Sequence, residues 1–155
     1  MRIRFDTKSV HVPRNGKFLE YPAISLGLGI PGGSQIYREV LIDTGASHTT
    51  FPLNLAIQLG VELDSLPKII FKSASGHQMT GYVTTLSLSI RCSENSRTGW
   101  DWTGDVIMAD IRTSLFGVLG HETFLEHFKF FLDSEEESFY LEENSSFTGE
   151  VLSYS

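Results

Sequence analysis

The clearest pattern in the chain is a strict alternation of apolar and small residues from Ile24 to Ile30. Alternation with a period of two predicts a strand with one buried face. The segment Pro31-Gly32-Gly33-Ser34 then favours a turn, because proline presets φ and glycine tolerates positive φ. A second β-like run follows at residues 36–42. The two runs predict a hairpin that places the acidic residue Asp43 directly after a buried strand.

A short helix and a second hairpin are predicted after this acid. Pro52 suits a first helical turn and Gly60 suits a helix end. The apolar residues expected on one face of the helix are Leu53, Ala56, Ile57 and Leu59. The second hairpin covers residues 69–90 around a small polar tip at residues 73–78, and its second strand alternates apolar residues with serines.

The remaining third of the chain predicts further strands. Residues 93–104 are predicted to form a polar loop anchored by Trp100 and Trp102, before a strand at 106–109. An apolar run then leads to a helix-like segment at 122–127, a strand at 128–133 and a last strand at 139–141. We expect one domain over residues 1–155, with its core at about 20–142 and a loose C-terminal tail.

Charge and composition narrow the function classes. Twelve basic against nineteen acidic residues give a net charge of −7 with no Lys/Arg cluster. A nucleic-acid partner is therefore not expected, because phosphate binding needs a concentrated basic patch. The single Cys92 cannot form an intramolecular disulfide, which suits a reducing compartment. No apolar run has the length of a signal-peptide core or a membrane span. We expect a cytoplasmic protein without a membrane partner.

Three features, in order, resemble the retropepsin-like aspartic proteases, the single-domain relatives of pepsin. The first is Leu41-Ile42-Asp43-Thr44-Gly45-Ala46-Ser47, which matches the family's apolar-apolar-Asp-Thr-Gly-Ala signature. The second is the tip at Ser75-Gly76, where the family has its flap. The third is Val118-Leu119-Gly120, followed by a helix-like segment and a strand. The resemblance implies an all-β fold: a closed β-barrel-like acid protease (retropepsin) fold with two short helices.

The resemblance also implies an aspartic endopeptidase whose active site is shared by two chains. Peptide hydrolysis of this kind needs a water to lose a proton while the carbonyl oxygen gains one, and two adjacent carboxyls sharing one proton can do both. The sequence has no second Asp-Thr-Gly or Asp-Ser-Gly. We therefore expect a symmetric homodimer that hydrolyses extended polypeptides with Asp43 from each chain as the catalytic residue.

Supporting roles follow from the same resemblance. Gly45 would allow close backbone approach and hold the carboxylate through its N–H, and Thr44 would donate its hydroxyl across the dimer axis. Ala46 follows the retropepsin pattern, whereas pepsin-like enzymes usually have a serine there that hydrogen-bonds to the carboxylate. We therefore expect a pH optimum less acidic than that of pepsin. The flap that closes over the substrate would be formed by Ser75, Gly76 and His77.

Other interpretations of these residues are kept beside this one. Asp43 could be an acid in an ordinary turn. His121, Glu122 and His127 lack the His-Glu-x-x-His spacing of a metal site, so we expect no metal and no cofactor. The two residues after Gly120 are His121-Glu122, whereas the family usually has Arg-Asp or Met-Asp there. The rival from a different class is a dimeric peptide-binding module that keeps the fold without turnover.

Overall fold

The predicted hairpins form, and further strands are added near both ends of the chain. The computed structural model describes residues 1–12, 16–72, 76–93, 96–111 and 117–153. The strands within these ranges are β1 (Arg2–Asp6), β2 (Lys8–Val12), β3 (Lys17–Tyr21), β4 (Ala23–Gly29), β5 (Ile36–Ile42), β6 (Thr50–Pro52), β7 (Lys68–Lys72), β8 (Gln78–Arg91), β9 (Gly99–Ala109), β10 (Val118–Leu119), β11 (Phe128–Asp133), β12 (Ser138–Glu143) and β13 (Glu150–Leu152). The helical segments are α1 (Leu53–Leu59), a 3₁₀ turn (Leu63–Ser65) and a π-type turn (His121–Leu125).

Six of the described strands close into a barrel. Their order is β9-β6-β10-β5-β4-β8, and β8 pairs back onto β9 to complete the ring. β13 and β7 extend the sheet from β9 and β8, and β2 and β3 pair with each other as a separate two-stranded sheet. The predicted all-β fold with a closed barrel and short helical segments is confirmed.

The period-two alternation directs one face of each barrel strand into the core. Leu26 of β4 lies opposite Ile90 of β8, and Leu28 lies opposite Leu88. All four side chains are fully buried. Burial of a side chain of this size stabilises the fold by roughly 1.5–3 kcal/mol relative to exposure, so these cross-strand pairs hold the barrel closed.

The two tryptophans lie in a strand, and the prediction of a polar loop around them was wrong. Both occupy β9, where Trp100 is fully buried and Trp102 is 5% exposed. The Trp100 indole N–H donates to Glu143 Oε2 at 2.7 Å. Trp102 lies edge-on to Phe128, with ring centroids 5.2 Å apart. Both rings belong to the hydrophobic core, and Asp101 between them is half-buried.

Helix α1 begins and ends near the predicted residues. Gly60 has φ 75°, and its N–H donates to Ile57 O while the N–H of Val61 donates to Ala56 O. Gly60 therefore ends the helix in a left-handed conformation that disfavours other residues. The expected apolar face was partly wrong, because Leu55 is fully buried whereas Ile57 is 78% exposed. At about 100° per residue, the face centred on Leu55 and Ala56 turns Ile57 towards solvent.

A second sheet combines the two ends of the chain. β12 lies between β1 and β11, and all three strands are antiparallel to their neighbours. Phe5 of β1 stacks on Phe139 of β12 with ring centroids 5.4 Å apart. β1 precedes the expected core range of about 20–142, and β13 pairs with β9 after it. In the described part of the chain, no helix is long and apolar enough to cross a membrane.

Glu142 provides a pH test of the second sheet. Its carboxylate accepts a hydrogen bond from Arg2 Nε at 3.0 Å and lies 3.6 Å from Lys129 Nζ. The hydrogen bond from Arg2 is the largest effect and lowers the pKa of Glu142. Desolvation opposes it, and the charges of Lys129 and Arg2 lower the pKa further, so the net direction is down. A lowered pKa gives a stabilisation that is complete above the ordinary value and is lost as pH falls through the folded-state pKa.

We expect Glu142→Gln to flatten the acid side of the stability curve. The unfolding temperature of the variant should fall less than that of the original protein between about pH 5 and pH 2.5. Thermal unfolding measured across this range checks the prediction, with Glu135→Gln in the exposed turn after β11 as the control. Parallel curves for the original protein and Glu142→Gln would show that the Arg2–Glu142 interaction does not stabilise the folded state.

Candidate active site

Asp43 leaves the core at a point where three strands meet. β10 runs parallel to β5 and pairs Val118 with Leu41 and Leu119 with Ile42. It also pairs with β6 through Val118 and Thr50, so it lies between the strands that precede and follow the Asp43 loop, residues 43–49. The Asp43 N–H donates to Leu119 O at 3.0 Å. The acid is therefore fixed to the barrel through its own backbone.

The carboxylate of Asp43 is oriented within its loop. The Gly45 N–H donates to Asp43 Oδ1 at 2.9 Å, and the Ala46 N–H donates to Asp43 O at 3.2 Å. A Cβ on residue 45 would lie 3.3 Å from Asp43 Oδ1, so glycine leaves room for this hydrogen bond. Asp43 and Ala46 are half-buried, whereas Thr44 and Gly45 are exposed. The loop thus presents one oriented carboxylate at the protein surface.

Two backbone hydrogen bonds join the π-type turn to the Asp43 loop. The His121 N–H donates to Ala46 O at 2.8 Å, and the Glu122 N–H donates to Ser47 O at 3.0 Å. Both hydrogen bonds use backbone atoms alone, so neither requires a particular side chain at position 121 or 122.

The Thr49 hydroxyl makes two further hydrogen bonds between the same two segments. Its hydroxyl accepts from the Gly120 N–H at 3.1 Å and donates to Glu122 O at 2.7 Å. Thr49 is 1% exposed, so these partners replace water around a buried hydroxyl. Thr49 was not among the predicted site residues, although it directly precedes β6 and lies two residues after the Asp-Thr-Gly-Ala-Ser run.

Gly120 is required by the close approach of the two backbones. A Cβ at this position would lie 2.3 Å from His48 O and 2.7 Å from Ala46 O. Both neighbours are backbone atoms, so they cannot move aside as a side chain would. The glycine that follows Val118-Leu119 in the sequence therefore sets the distance between the Asp43 loop and the turn.

The π-type turn has a strained residue at its centre. Thr123 has φ 73°, which β-branched residues rarely adopt. Its carbonyl accepts from the Trp102 indole N–H at 3.0 Å, its N–H donates to Glu126 Oε1 at 2.6 Å and its hydroxyl donates to Asp105 O. These three hydrogen bonds hold Thr123 in this otherwise unfavourable backbone conformation. The helix-like segment predicted at 122–127 is a short helical turn at His121–Leu125, and tertiary contacts bend it at Glu122 and Thr123.

His48 connects the Asp43 loop to two other elements. Its Nδ1 lies 2.6 Å from Glu122 Oε2 in the π-type turn. Its ring lies edge-on to Phe71 of β7, with centroids 6.0 Å apart. The β7–β8 hairpin is therefore in contact with the loop at this residue. The sequence analysis did not single out His48, which follows directly after the signature.

The predicted flap residues lie at the end of the β7–β8 hairpin. Gly76 has φ 84° and is exposed, and His77 is exposed beside it. Ser75 lies outside the described residues. The hairpin predicted at 69–90 is confirmed by pairing of Lys72 with Gln78 and of Lys68 with Tyr82. The predicted residues 43–46 are consecutive in the Asp43 loop. Gly76 and His77 belong to a separate hairpin, which contacts this loop where Phe71 meets His48.

Among the described residues, one further cavity lies apart from residues 43–46. A cavity of about 520 Å³ is lined by residues including Arg4, Lys8, Tyr37 and Arg91, and none of the predicted site residues lines it. No group of three or more His, Cys, Asp or Glu side chains within the described ranges could hold a metal ion.

We expect Gly120→Ala to destabilise the protein by about 3 kcal/mol, because the new methyl group would overlap two carbonyl oxygens that cannot move. Gly60→Ala is the control, since it adds strain at positive φ but meets no atom within 4 Å. That strain should cost about 1–2 kcal/mol. Urea unfolding of both variants checks the prediction, and equal losses in the two would contradict a specific role for close approach at Gly120.

The comparisons with known proteins agree with this geometry. A profile of the family described as aspartyl protease matches residues 31–120. The crystal structure of a retropepsin-like aspartic protease from Rickettsia conorii is similar in fold, with a TM-score of 0.54 at 21% identity over 90% of this chain and 98% of that chain. No curated protein matches the chain. The matched segment exceeds half of the sequence and includes both Asp43 and Gly120, so this chain belongs to the aspartyl protease family and has a retropepsin-like fold.

Proposed function

We propose that this protein is an aspartic endopeptidase that hydrolyses peptide bonds of extended polypeptides as a homodimer. The observation that carries the proposal is the Asp43 carboxylate, held by the Gly45 N–H at 2.9 Å at the end of a buried strand. Membership of the aspartyl protease family supports the class of chemistry. The functional unit proposed is one domain over residues 1–155, acting without a cofactor.

One chain offers half of the groups that this reaction needs. The described loop carries Asp43 as its acid, and Thr44 and Gly45 beside it are exposed. An exposed surface around a two-fold axis allows the same loop of a second copy to approach. Two carboxyls brought together share one proton, because like charges a few ångströms apart cannot both ionise without a large cost.

The reaction follows from this pairing. The ionised carboxylate takes a proton from water as the water oxygen bonds to the peptide carbonyl carbon. The protonated carboxyl of the second Asp43 gives its proton to the carbonyl oxygen, so no full negative charge forms there. When the tetrahedral intermediate collapses, the first Asp43 gives the peptide nitrogen the proton that it took from water, and the second Asp43 takes a proton from a hydroxyl of the intermediate. The C–N bond breaks, the amine leaves, and the pair again shares one proton. The Thr44 hydroxyl is proposed to bond across the dimer axis and keep the two carboxyls in register.

The β7–β8 hairpin is the proposed flap. Its tip residues Gly76 and His77 are exposed, and the hairpin contacts the Asp43 loop close to its tip, where Phe71 meets His48. A hairpin whose tip end lies against this loop is placed to close over an extended substrate and exclude water. Ser75 is proposed to belong to the same tip, and His77 to contact substrate side chains. Cys92 is exposed and is a free thiol, which suits the proposed cytoplasmic location.

A peptide-binding module without turnover is the rival function. The same loop and flap could hold an extended peptide if the two carboxyls never meet. The Gly45 hydrogen bond argues for the enzyme, since orientation of a carboxylate matters for proton transfer and has no evident use in peptide capture. The two functions differ in a direct assay.

We expect the purified protein to cleave a mixed peptide library, and Asp43→Asn to reduce the rate at least 1000-fold by removing both proton carriers of the dimer, on the order of 4 kcal/mol in the activation barrier. The profile of rate against pH should peak above about pH 3, because Ala46 supplies no hydroxyl to stabilise the ionised form further. Mass spectrometry of the products measures both results. Retention of peptides without cleavage would favour the binding module, and equal cleavage by the two proteins would indicate a contaminant.

Activity should also depend on protein concentration, since each site needs two chains. Specific activity is expected to fall when the protein is diluted below the dissociation constant of the dimer. The fall should parallel the dimer fraction measured by analytical ultracentrifugation. Asp43→Asn mixed with the original protein should lower the rate further by forming mixed dimers. Constant specific activity in a demonstrably monomeric sample would end the shared-site proposal.

A further inference from the structure

We propose that the cavity at the junction of the barrel and the second sheet binds a small organic anion with an apolar body. The cavity has a volume of about 520 Å³, which lies within the range typical of small-molecule sites. None of residues 43–49 lines it. The proposal therefore concerns a second site and does not rest on the proposed function.

Strands of both sheets line this cavity. β1 contributes residues 4–6 from the second sheet, and β4 contributes residues 23–25 from the barrel. The β4–β8 pairing ends with Leu26 opposite Ile90, and past this point β8 continues with Arg91, which lines the cavity. A ligand held here would contact the barrel and the second sheet at the same time.

The charge of the lining residues favours an anion. Three cationic residues, Arg4, Lys8 and Arg91, line the cavity against one acid, Asp6. Lys8 is exposed and forms no ion pair with another residue in the described ranges. Arg4 Nη2 lies 3.8 Å from Asp6 Oδ1, and the Asp6 side chain is 84% exposed, so solvent screening leaves this pair weak. The cavity thus concentrates positive charge in a chain whose net charge is −7.

Arg91 is the fixed cation of the cavity. Its Nη1 donates to Ile90 O at 3.2 Å and to Trp100 O at 3.1 Å, and it lies 2.7 Å from Asp101 Oδ1. All three contacts use the same nitrogen. Among the residues that the structure describes, Nε and Nη2 of Arg91 have no hydrogen-bond partner. These two nitrogens form one edge of the guanidinium, which suits two oxygens of a carboxylate or a phosphate.

Apolar and aromatic residues supply the rest of the lining. Phe5, Ala23, Ile24 and Tyr37 all line the cavity. Ala23 and Ile24 are buried, whereas Tyr37 is 47% exposed. A ring placed against Tyr37 would remove apolar surface of both from water, which favours binding. The cavity therefore suits an acid whose charged group meets the cationic residues and whose body is aromatic.

Cys92 gives a direct measurement of occupancy, because it is the single cysteine of the sequence, is exposed and lines the same cavity. The rate of its alkylation by iodoacetamide, a neutral reagent, should fall when the cavity is filled. We expect saturating phenylacetate or phenyl phosphate to slow the reaction roughly threefold or more, since a bound ligand covers most of its site. The acid that protects Cys92 at the lower concentration identifies the charged group that the site prefers.

Two compounds serve as controls for this measurement. Phenylacetamide has the same body as phenylacetate without the charge, and inorganic phosphate has the charge of phenyl phosphate without the ring. Both should protect Cys92 only weakly. Equal protection by phenylacetamide and phenylacetate would overturn the recognition of an anion. Equal protection by inorganic phosphate and phenyl phosphate would overturn the apolar part of the site, and no protection by either acid would overturn the proposal.

Charge variants connect the protection to the cavity. The double variant Arg4→Gln/Lys8→Gln should raise the concentration of acid that gives half-protection roughly tenfold, because it removes two of the three cations. The matched control is Lys68→Gln/Lys129→Gln, which removes two positive charges from residues that do not line the cavity. It should stay within about twofold of the original protein. Equal effects in the two double variants would indicate a general effect of net charge and contradict the site.

Thermal unfolding provides a second readout that does not use the thiol. In a Cys92→Ser background, the protecting acid should raise the unfolding temperature, because the ligand binds the folded state in which both sheets are joined. The rise should be lost when Arg4→Gln/Lys8→Gln is added. The same rise with and without these two substitutions would contradict binding in the cavity. Neither readout measures peptide cleavage, so failure of this proposal and failure of the proposed function are distinguishable.

Discussion

The close contact between two backbone segments at Gly120 is the constraint on which the candidate site depends. The Asp43 loop crosses over this glycine, and a Cβ there would lie 2.3 Å from His48 O. On one side of the crossing, β10 fixes Asp43 through the Leu119 carbonyl. On the other side, the π-type turn holds the end of the loop. The orientation of a single carboxylate is therefore a property of the whole strand arrangement and is not local to the Asp-Thr-Gly triplet.

Aromatic packing beneath this crossing supplies its rigidity. Trp102 bonds to the Thr123 carbonyl through its indole N–H and packs against Phe124 and Phe128. Because Thr123 is held in a conformation that its own side chain disfavours, the turn retains its shape only while these contacts remain. The barrel core and the loop that carries Asp43 are therefore linked through one turn, and a change in either is felt in the other.

Local patterns in the sequence predicted the parts of the fold that local pairing decides. The β4–β5 and β7–β8 hairpins follow from alternation and turn residues, and the resemblance to retropepsins placed Asp43 in its loop. The strand predicted at 106–109 is the second half of β9. The first half was missed because Asp101, Thr103 and Gly104 suggested a polar loop, although Trp100 and Trp102 alternate with Asp101 and Thr103 at the period of a strand. The π-type turn could not be predicted, because the conformation of Thr123 is imposed by residues distant in sequence. The same holds for β13, whose three residues become a strand only against β9.

The insertion of β10 between β5 and β6 has a consequence for how the protein is made. The two hairpins join neighbouring segments, and such local contacts form early because little chain entropy is lost in closing them. β10 pairs with strands that were synthesised long before it, and Asp43 acquires its backbone partner only when Leu119 arrives. A nascent chain that stops short of β10 can thus contain both hairpins and the complete Asp-Thr-Gly signature while its carboxylate is still unplaced. Assembly of the site is in this way postponed until the barrel closes, so a partly synthesised chain does not present a finished site to its surroundings.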